Sequence, residues 1–322
     1  MMMETFEVLA KKTRREWKKR TLLISFGSVL LASGVAFLIW MGLGFLSTQQ
    51  YHQLDDYYYR QTSIAFPNMQ RDNVRVVFAN NLGGTYEANL IKDIDGISVK
   101  YEEIAANFTV MNQDQDALAS FVLPASVEQD STEMAYSYKS HQKAALFFNP
   151  KASYGSEDII RKPAKELSYL SQMKGQLVEV AISFDKQYTL AELEEKLPKN
   201  LKINWYWIGS VSTDNTAQKA ISHLFGWTPR KQWLDSSYQE FYELLEAFSQ
   251  SKEFKEMGQE GLAEDVTAHL ASEGKVGKAS FGGVILTGKA ENFAQLENQD
   301  WIFASSIGAA IPNQPYYQLD VE

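Results

Sequence analysis

TLLISFGSVLLASGVAFLIWMGLGFL, residues 21–46, is a run of twenty-six residues without a charge, and the basic segment KKTRREWKKR at 11–20 precedes it directly. At ~1.5 Å per residue a helix of this length reaches about 39 Å, against ~30 Å for the hydrocarbon core of a bilayer. The stretch therefore reads as one membrane-spanning helix that crosses with some tilt. Seven Lys/Arg lie within the first twenty residues, and positive flanks are retained in the cytoplasm, so everything after the helix is expected outside. A cleaved signal peptide is the rival reading. Its apolar region is normally ~7–15 residues and ends in a small-residue cleavage site. GFLSTQ at 44–49 is a poor site of that kind, and the length favours an uncleaved anchor.

Working outward, the chain of 322 residues has 31 Lys+Arg and 40 Asp+Glu, and all but seven and three of these lie beyond the anchor. That leaves 24 basic and 37 acidic residues there, a net charge near −13. Such a surface disfavours nucleic acid, whose phosphates need clustered Lys/Arg. The absence of cysteine excludes disulfides, a thiol nucleophile and Cys-ligated zinc. About 275 residues outside suffice for one large or two ordinary domains. A disulfide-free outward-facing protein of this size suits a bacterial envelope, here the plasma membrane with a single pass.

Inside, Phe6, Leu9 or Ala10, Thr13 and Trp17 fall at helical spacing, which makes the tail a short amphipathic helix. Two readings stay open: a basic face lying on anionic headgroups, or a docking helix for a cytoplasmic partner. Within the anchor, Ser28, Ala32 and Ala36 share one face at a small-xxx-small spacing that permits pairing into a homodimer.

Beyond the anchor, 50–60 (QYHQLDDYYYR) reads as an interfacial or stalk segment. Strands are expected at 74–79, 85–90 and 97–101, divided by the turn sequences NNLGG and DIDG. The stretch 107–123 is ambiguous, 143–149 (KAALFFN) reads as a strand, and a soft module boundary falls in the polar stretch 150–163. The resulting division is 1–20 tail, 21–46 helix, 47–155 membrane-proximal β-rich module and 156–322 C-terminal module.

The C-terminal module is the most clearly patterned. A strand at 176–184 leads to the capping box Thr189-Leu190-Ala191-Glu192, a helix stopped by Pro198 and a strand at 201–211. The pattern returns with a strand at 281–287, a short helix at 291–296 and a strand at 301–309, and Ile208-Gly209 is echoed by Ile307-Gly308. Two β-α-β units predict an α+β fold with a ferredoxin-like four-stranded sheet. Helices at 236–250 and 259–272 would be an insertion between the units.

No catalytic constellation is visible. His52, His141, His223 and His269 are scattered singly, without HExxH, a nucleophile elbow or a phosphate loop. Asp93, Asp95 and Gly96 offer half a calcium loop without its closing Glu, so they read as a turn. No catalytic, cofactor or metal residue is predicted, and the chain is not expected to be an enzyme. The candidate recognition surface is aromatic: Trp205, Tyr206, Trp207, Trp227 and Trp233. Alternation along a strand sets Trp205 and Trp207 on one face and Tyr206 on the other. Sheet packing and a ligand pocket are both open for them.

Ile182-Ser183-Phe184-Asp185, Tyr188-Thr189-Leu190-Ala191-Glu192-Leu193, Trp205-Tyr206-Trp207, the run Gly283-Val284-Ile285-Leu286-Thr287-Gly288-Lys289, Leu296 and Ser306-Ile307-Gly308-Ala309 follow one membrane helix in order. In this the chain resembles the sigma factor regulator family of Gram-positive bacteria, over about 157–317 for its C-terminal module and 11–101 for its N-terminal one. The resemblance implies a membrane-bound anti-sigma-type regulator, with the outer domain monitoring the envelope and the tail restraining a sigma factor. A tail of about twenty residues supplies one helix of contact and no folded clamp, so a small membrane partner is the alternative route to control. A pure extracytoplasmic binding module for a peptide, lipid or cell-wall fragment is the second reading.

Overall fold

The computed structural model describes residues 2–115, 135–137, 140–155, 160 and 162–314, with 2–8 and 135 described by backbone alone. The expected boundary at 150–163 and the ambiguous 107–123 lie partly outside these.

One helix, α1 (Met2–Ile64), runs through the tail, the apolar stretch and the segment beyond it. Its sixty-three residues correspond to about 95 Å. Of its length, a window with mean hydropathy 2.4 and no buried residue is long and apolar enough to cross a membrane. No proline interrupts α1, and it stops at Ala65-Phe66-Pro67, because the position before a proline disfavours the helical region.

The 50–60 segment is therefore no stalk but part of the last third of the same helix, seated in the fold. Ser47, Leu54, Tyr58 and Gln61 are buried, Tyr51 half-buried, and Ala65 continues the series just past the end. Steps of four and three residues keep these side chains on one stripe. Tyr58 stacks on Tyr86 at 5.4 Å, and Tyr51 lies 6.0 Å from Phe108.

Tyr86 and Phe108 belong to a meander of β1 (Gln70–Asn80), β2 (Gly83–Ile94) and β3 (Ile97–Thr109), all antiparallel. The turns sit where the sequence places them: Asp95 (φ 55°) and Gly96 (φ 89°) close the β2–β3 hairpin with the two left-handed residues such a loop requires. The short pair β4 (Ala135–Tyr136) and β5 (Lys143–Ala144) follows. The strand expected at 143–149 is limited to these first two residues. From Ala145 the chain is buried against side chains instead of a strand edge, with the Phe148 N–H donating to Ser183 Oγ at 2.9 Å.

The second sheet contains β6 (Gln176–Thr189), β7 (Lys202–Trp207), β8 (Gly226–Trp227), β9 (Ser280–Lys289) and β10 (Ile302–Pro312) in the order β10-β6-β9-β7-β8, each neighbour antiparallel. Thr189 caps α2 (Leu190–Lys196) reciprocally with Glu192, as its sequence predicts. The corresponding connection after β9 is a 3₁₀ turn, Ala290–Leu296, where a short α-helix is expected. It starts at Lys289 without a side-chain cap, and seven uncapped residues do not sustain α geometry. β7 is shorter than the predicted 201–211 because Gly209 turns at φ 84°, in a spot where a Cβ would meet the Gly282 backbone at 2.9 Å. Between β8 and β9 come α3 (Leu234–Ser249), α4 (Lys252–Glu256) and α5 (Glu260–Leu270). One apolar core runs from Leu54 of α1 through both sheets to Ile307.

Candidate signalling junction

The functional question is how the folded region after the apolar stretch holds the helix that leaves it. Residues 65–69 make the connection. Phe66 and Asn68 both adopt left-handed backbone (φ 62° and 54°), a conformation that bulky residues hold only when the surroundings enforce it. Ala65 forms an antiparallel bridge with Phe225, beside β8. Helix end and C-terminal sheet are thus joined through the backbone.

Asn68 is the polar plug of this joint. Its Nδ2 donates to Glu179 Oε1 at 2.8 Å and to the Asp93 carbonyl at 3.0 Å, and its Oδ1 accepts from Asn204 at 3.1 Å. Asn204 in turn accepts from Thr287 (2.7 Å), whose hydroxyl accepts the Asp95 N–H (3.0 Å). Glu179 is fully buried. It pairs with Lys92 Nζ at 2.6 Å and accepts the Ala309 N–H at 3.1 Å. Lys92 also lies 4.2 Å from the centre of the Tyr101 ring. Burial, and then the nearby Glu179 and Glu102 carboxylates, push the Tyr101 hydroxyl well above its ordinary pKa, so it stays protonated. A Cβ at Gly308 would meet Glu179 Oε2 at 2.2 Å, so the glycine echoed in the sequence makes room for this carboxylate. Buried ion pairs are costly to form and costlier to break, and they fix one arrangement of the parts they join.

A cleft of about 520 Å³ opens beside the joint, between the last turns of α1, the start of β1, α3 and the edge of β7. Trp227 and Phe241 form part of its wall. Ion pairs lie along it: Arg71 with Asp55 (2.6 Å), Lys202 with Asp93 (2.8 Å) and Arg230 with Glu240 (3.3 Å). Tyr59 of α1 donates to Glu240 of α3 at 3.0 Å, and burial followed by that bond raises its pKa. The β7 edge is covered by β8 only at Tyr206 and Trp207, which leaves 202–205 without an outer strand partner. A ligand entering here would touch helix and C-terminal sheet together.

The predicted aromatics are distributed unevenly around this site. Trp205, Tyr206, Trp207 and Trp227 are all buried. Phe147 packs on Trp205 and Trp207, while Tyr206 stacks on the opposite side with Trp227 (5.7 Å) and Phe281 (4.9 Å). Trp227 alone of the five lines the cleft, and Trp233 is exposed ahead of α3. Leu9 and Trp17 are exposed on the N-terminal part of α1, and the Phe6 side chain lies outside the described residues. Tyr59, Arg71 and Glu240 escaped the sequence reading. The four-three spacing from Ser47 to Ala65 is the signal that could have placed this part of α1 at a protein contact, one position from Tyr59.

Tyr238, His269 and Ser272 form a separate hydrogen-bonded group, with distances of 3.0 and 2.8 Å to the tyrosine hydroxyl. All three are buried, so the group has packing as its setting and no approach for a substrate. Burial lowers His269 to about 4, leaving it neutral at physiological pH.

No curated protein and no solved structure matches the chain. The family model described as sigma factor regulator C-terminal matches residues 170–309, somewhat under half of the length, and takes in β6 through most of β10. Over residues 170–309, behind a long apolar helix, the chain is similar to the sigma factor regulator family.

Proposed function

We propose that the chain is a single-pass membrane regulator of anti-sigma type, without catalytic activity. Residues 1–20 would lie in the cytoplasm, 21–46 in the bilayer, and the modules 47–155 and 156–322 outside, in a bacterial plasma membrane. The sheet order β10-β6-β9-β7, with a helical connection inside each strand pair, supports a ferredoxin-like arrangement of the C-terminal module. The outer region would respond to the envelope, and Phe6, Leu9 and Trp17 would face a sigma factor or a small membrane partner.

The observation that carries this reading is the continuity of α1 with its seat. Fully burying a Leu or aromatic side chain contributes roughly 1.5–3 kcal/mol. Leu54, Tyr58 and Ile64 are each fully buried, so turning the helix in its seat would cost several kcal/mol. Inside a bilayer the same helix meets lipid on every face and turns with little penalty. A change outside is thus passed inward as motion of the whole helix or a change in its pairing. Purification of the intact protein from its native membrane tests the reading. A sigma factor or a small membrane protein should co-purify, and recovery of neither would overturn the sigma part.

The cleft favours a second reading, an extracytoplasmic binding module with no link to transcription. Deletion of residues 2–16 separates the two. A regulator loses its effect on transcription, whereas a binding module retains its ligand and changes nothing inside.

A further inference from the structure

The β1–β2 turn carries apolar side chains where an acidic outer domain should show polar ones. Phe78 is 87 % exposed, Leu82 58 % and Met111, on the turn after β3, 90 %. Phe78 and Met111 are the most exposed large apolar side chains beyond residue 46 among the described residues. The two turns form one tip, since the Val110 N–H donates to the Leu82 carbonyl at 2.9 Å. No charged residue occurs at 76–86 or 105–113. In a region with a net charge near −13, that is a local departure from the surface around it.

The tip is held at a defined level on α1. Asn81 Nδ2 donates to the Trp40 carbonyl at 2.7 Å and packs on Gly44, and Ser47 Oγ donates to the Asn80 carbonyl at 3.4 Å. Trp40 is nineteen residues beyond Thr21, about 29 Å along the helix, which is the ~30 Å thickness of a hydrocarbon core. The uncharged stretch therefore exceeds what the core needs by about six residues, and those are the ones that the tip grips. Trp at that depth is itself a residue of the membrane–water boundary.

We propose that the 78–82 turn and Met111 form a second membrane contact, inserted at the headgroup–acyl boundary of the outer leaflet beside the spanning helix. The partner is lipid, because the exposed side chains sit at the level where the helix leaves the hydrocarbon and carry no charge. Apolar groups seat ~5–10 Å into this boundary, within reach of Phe, Leu and Met side chains. The outer domain then rests on the bilayer at two points, the helix and the tip. Outer-leaflet packing acts on β1 and β2, whose far end carries Lys92 and the buried pair with Glu179. The proposal rests on the reading of 21–46 as membrane-spanning.

The native chain has no cysteine, so single labels are unambiguous. Full-length F78C, L82C and M111C, with L31C in the apolar stretch and K255C on α4, are each labelled with a polarity-sensitive fluorophore. The side chains replaced at the tip are exposed, so no core contact is lost. Each protein is placed in nanodiscs of phosphatidylethanolamine and phosphatidylglycerol, with and without lipid bearing a nitroxide just below its headgroup. At 78, 82 and 111 we expect blue-shifted emission, loss of most of it to the nitroxide lipid and protection from aqueous iodide, with K255C showing the reverse. Water-like emission and iodide quenching at the tip, with L31C still shielded, would overturn the tip contact and leave the spanning helix intact. A blue shift without nitroxide quenching would put protein on the tip and overturn it as well. Iodide access at L31C would overturn both.

Discussion

Glu179 decides how firmly the two sheets are joined, and its behaviour on substitution is the sharpest residue-scale test of that joint. Glu179→Ala leaves Lys92 buried without its carboxylate and frees the Asn68 amide and the Ala309 N–H. Breaking one side of a buried pair costs about 3–5 kcal/mol. The outer region of Glu179→Ala should therefore unfold at clearly lower denaturant, whereas the double variant Lys92→Met with Glu179→Leu, which removes both charges, should recover much of the loss. His269 supplies a pH test at the same scale. Its folded pKa of about 4 lies below the ordinary 6.5, so the unfolded chain binds the proton first. The histidine's contribution to stability is complete above pH 6.5 and is lost as pH falls towards 4, about 3 kcal/mol in all at ~1.36 kcal/mol per pH unit. His269→Gln should flatten that part of the stability–pH curve in denaturant titrations.

At the scale of elements, α1 carries the account. Leu54→Ala empties part of its seat and should cost about 2–5 kcal/mol, read as faster amide exchange over 47–64. The phase of the helix is testable without touching the seat. One alanine inserted between Gly34 and Val35 turns the tail by about 100° relative to the outer region, and seven bring it back to within about 20°. Transcriptional output should change with one insertion and return towards wild type with seven, while the unfolding of the outer region is unchanged in both. The sequence made much of this legible. Uncharged length identified the apolar helix, Thr189 and Glu192 marked the start of α2, and Asp95-Gly96 marked a turn, because each signal is local. The outer third of α1 was not read, because Tyr and Asp at 50–60 resemble an interfacial segment unless the four-three spacing of Tyr51, Leu54, Tyr58 and Gln61 is weighed against a partner sheet 30 residues further on. The cleft was invisible for the same reason, since Tyr59, Arg71, Lys202 and Glu240 converge only through tertiary packing.

For the whole molecule, a large acidic region and a short basic one share a single helix. The polar joint at Asn68 and Glu179 and the apolar seat from Ser47 to Ala65 make the outer part and the outer helix one body, and the membrane tip adds a second support. In the proposed function, everything passed inward depends on α1 being unbroken between them. The direct measurement is a distance between two spin labels on the cysteine-free chain, at Leu22→Cys and Asp56→Cys, with single copies in nanodiscs. Thirty-four residues of continuous helix predict one narrow distribution centred near 51 Å. A broad distribution, or one centred well below that value, would mean that the helix breaks between bilayer and outer domain and would contradict the account.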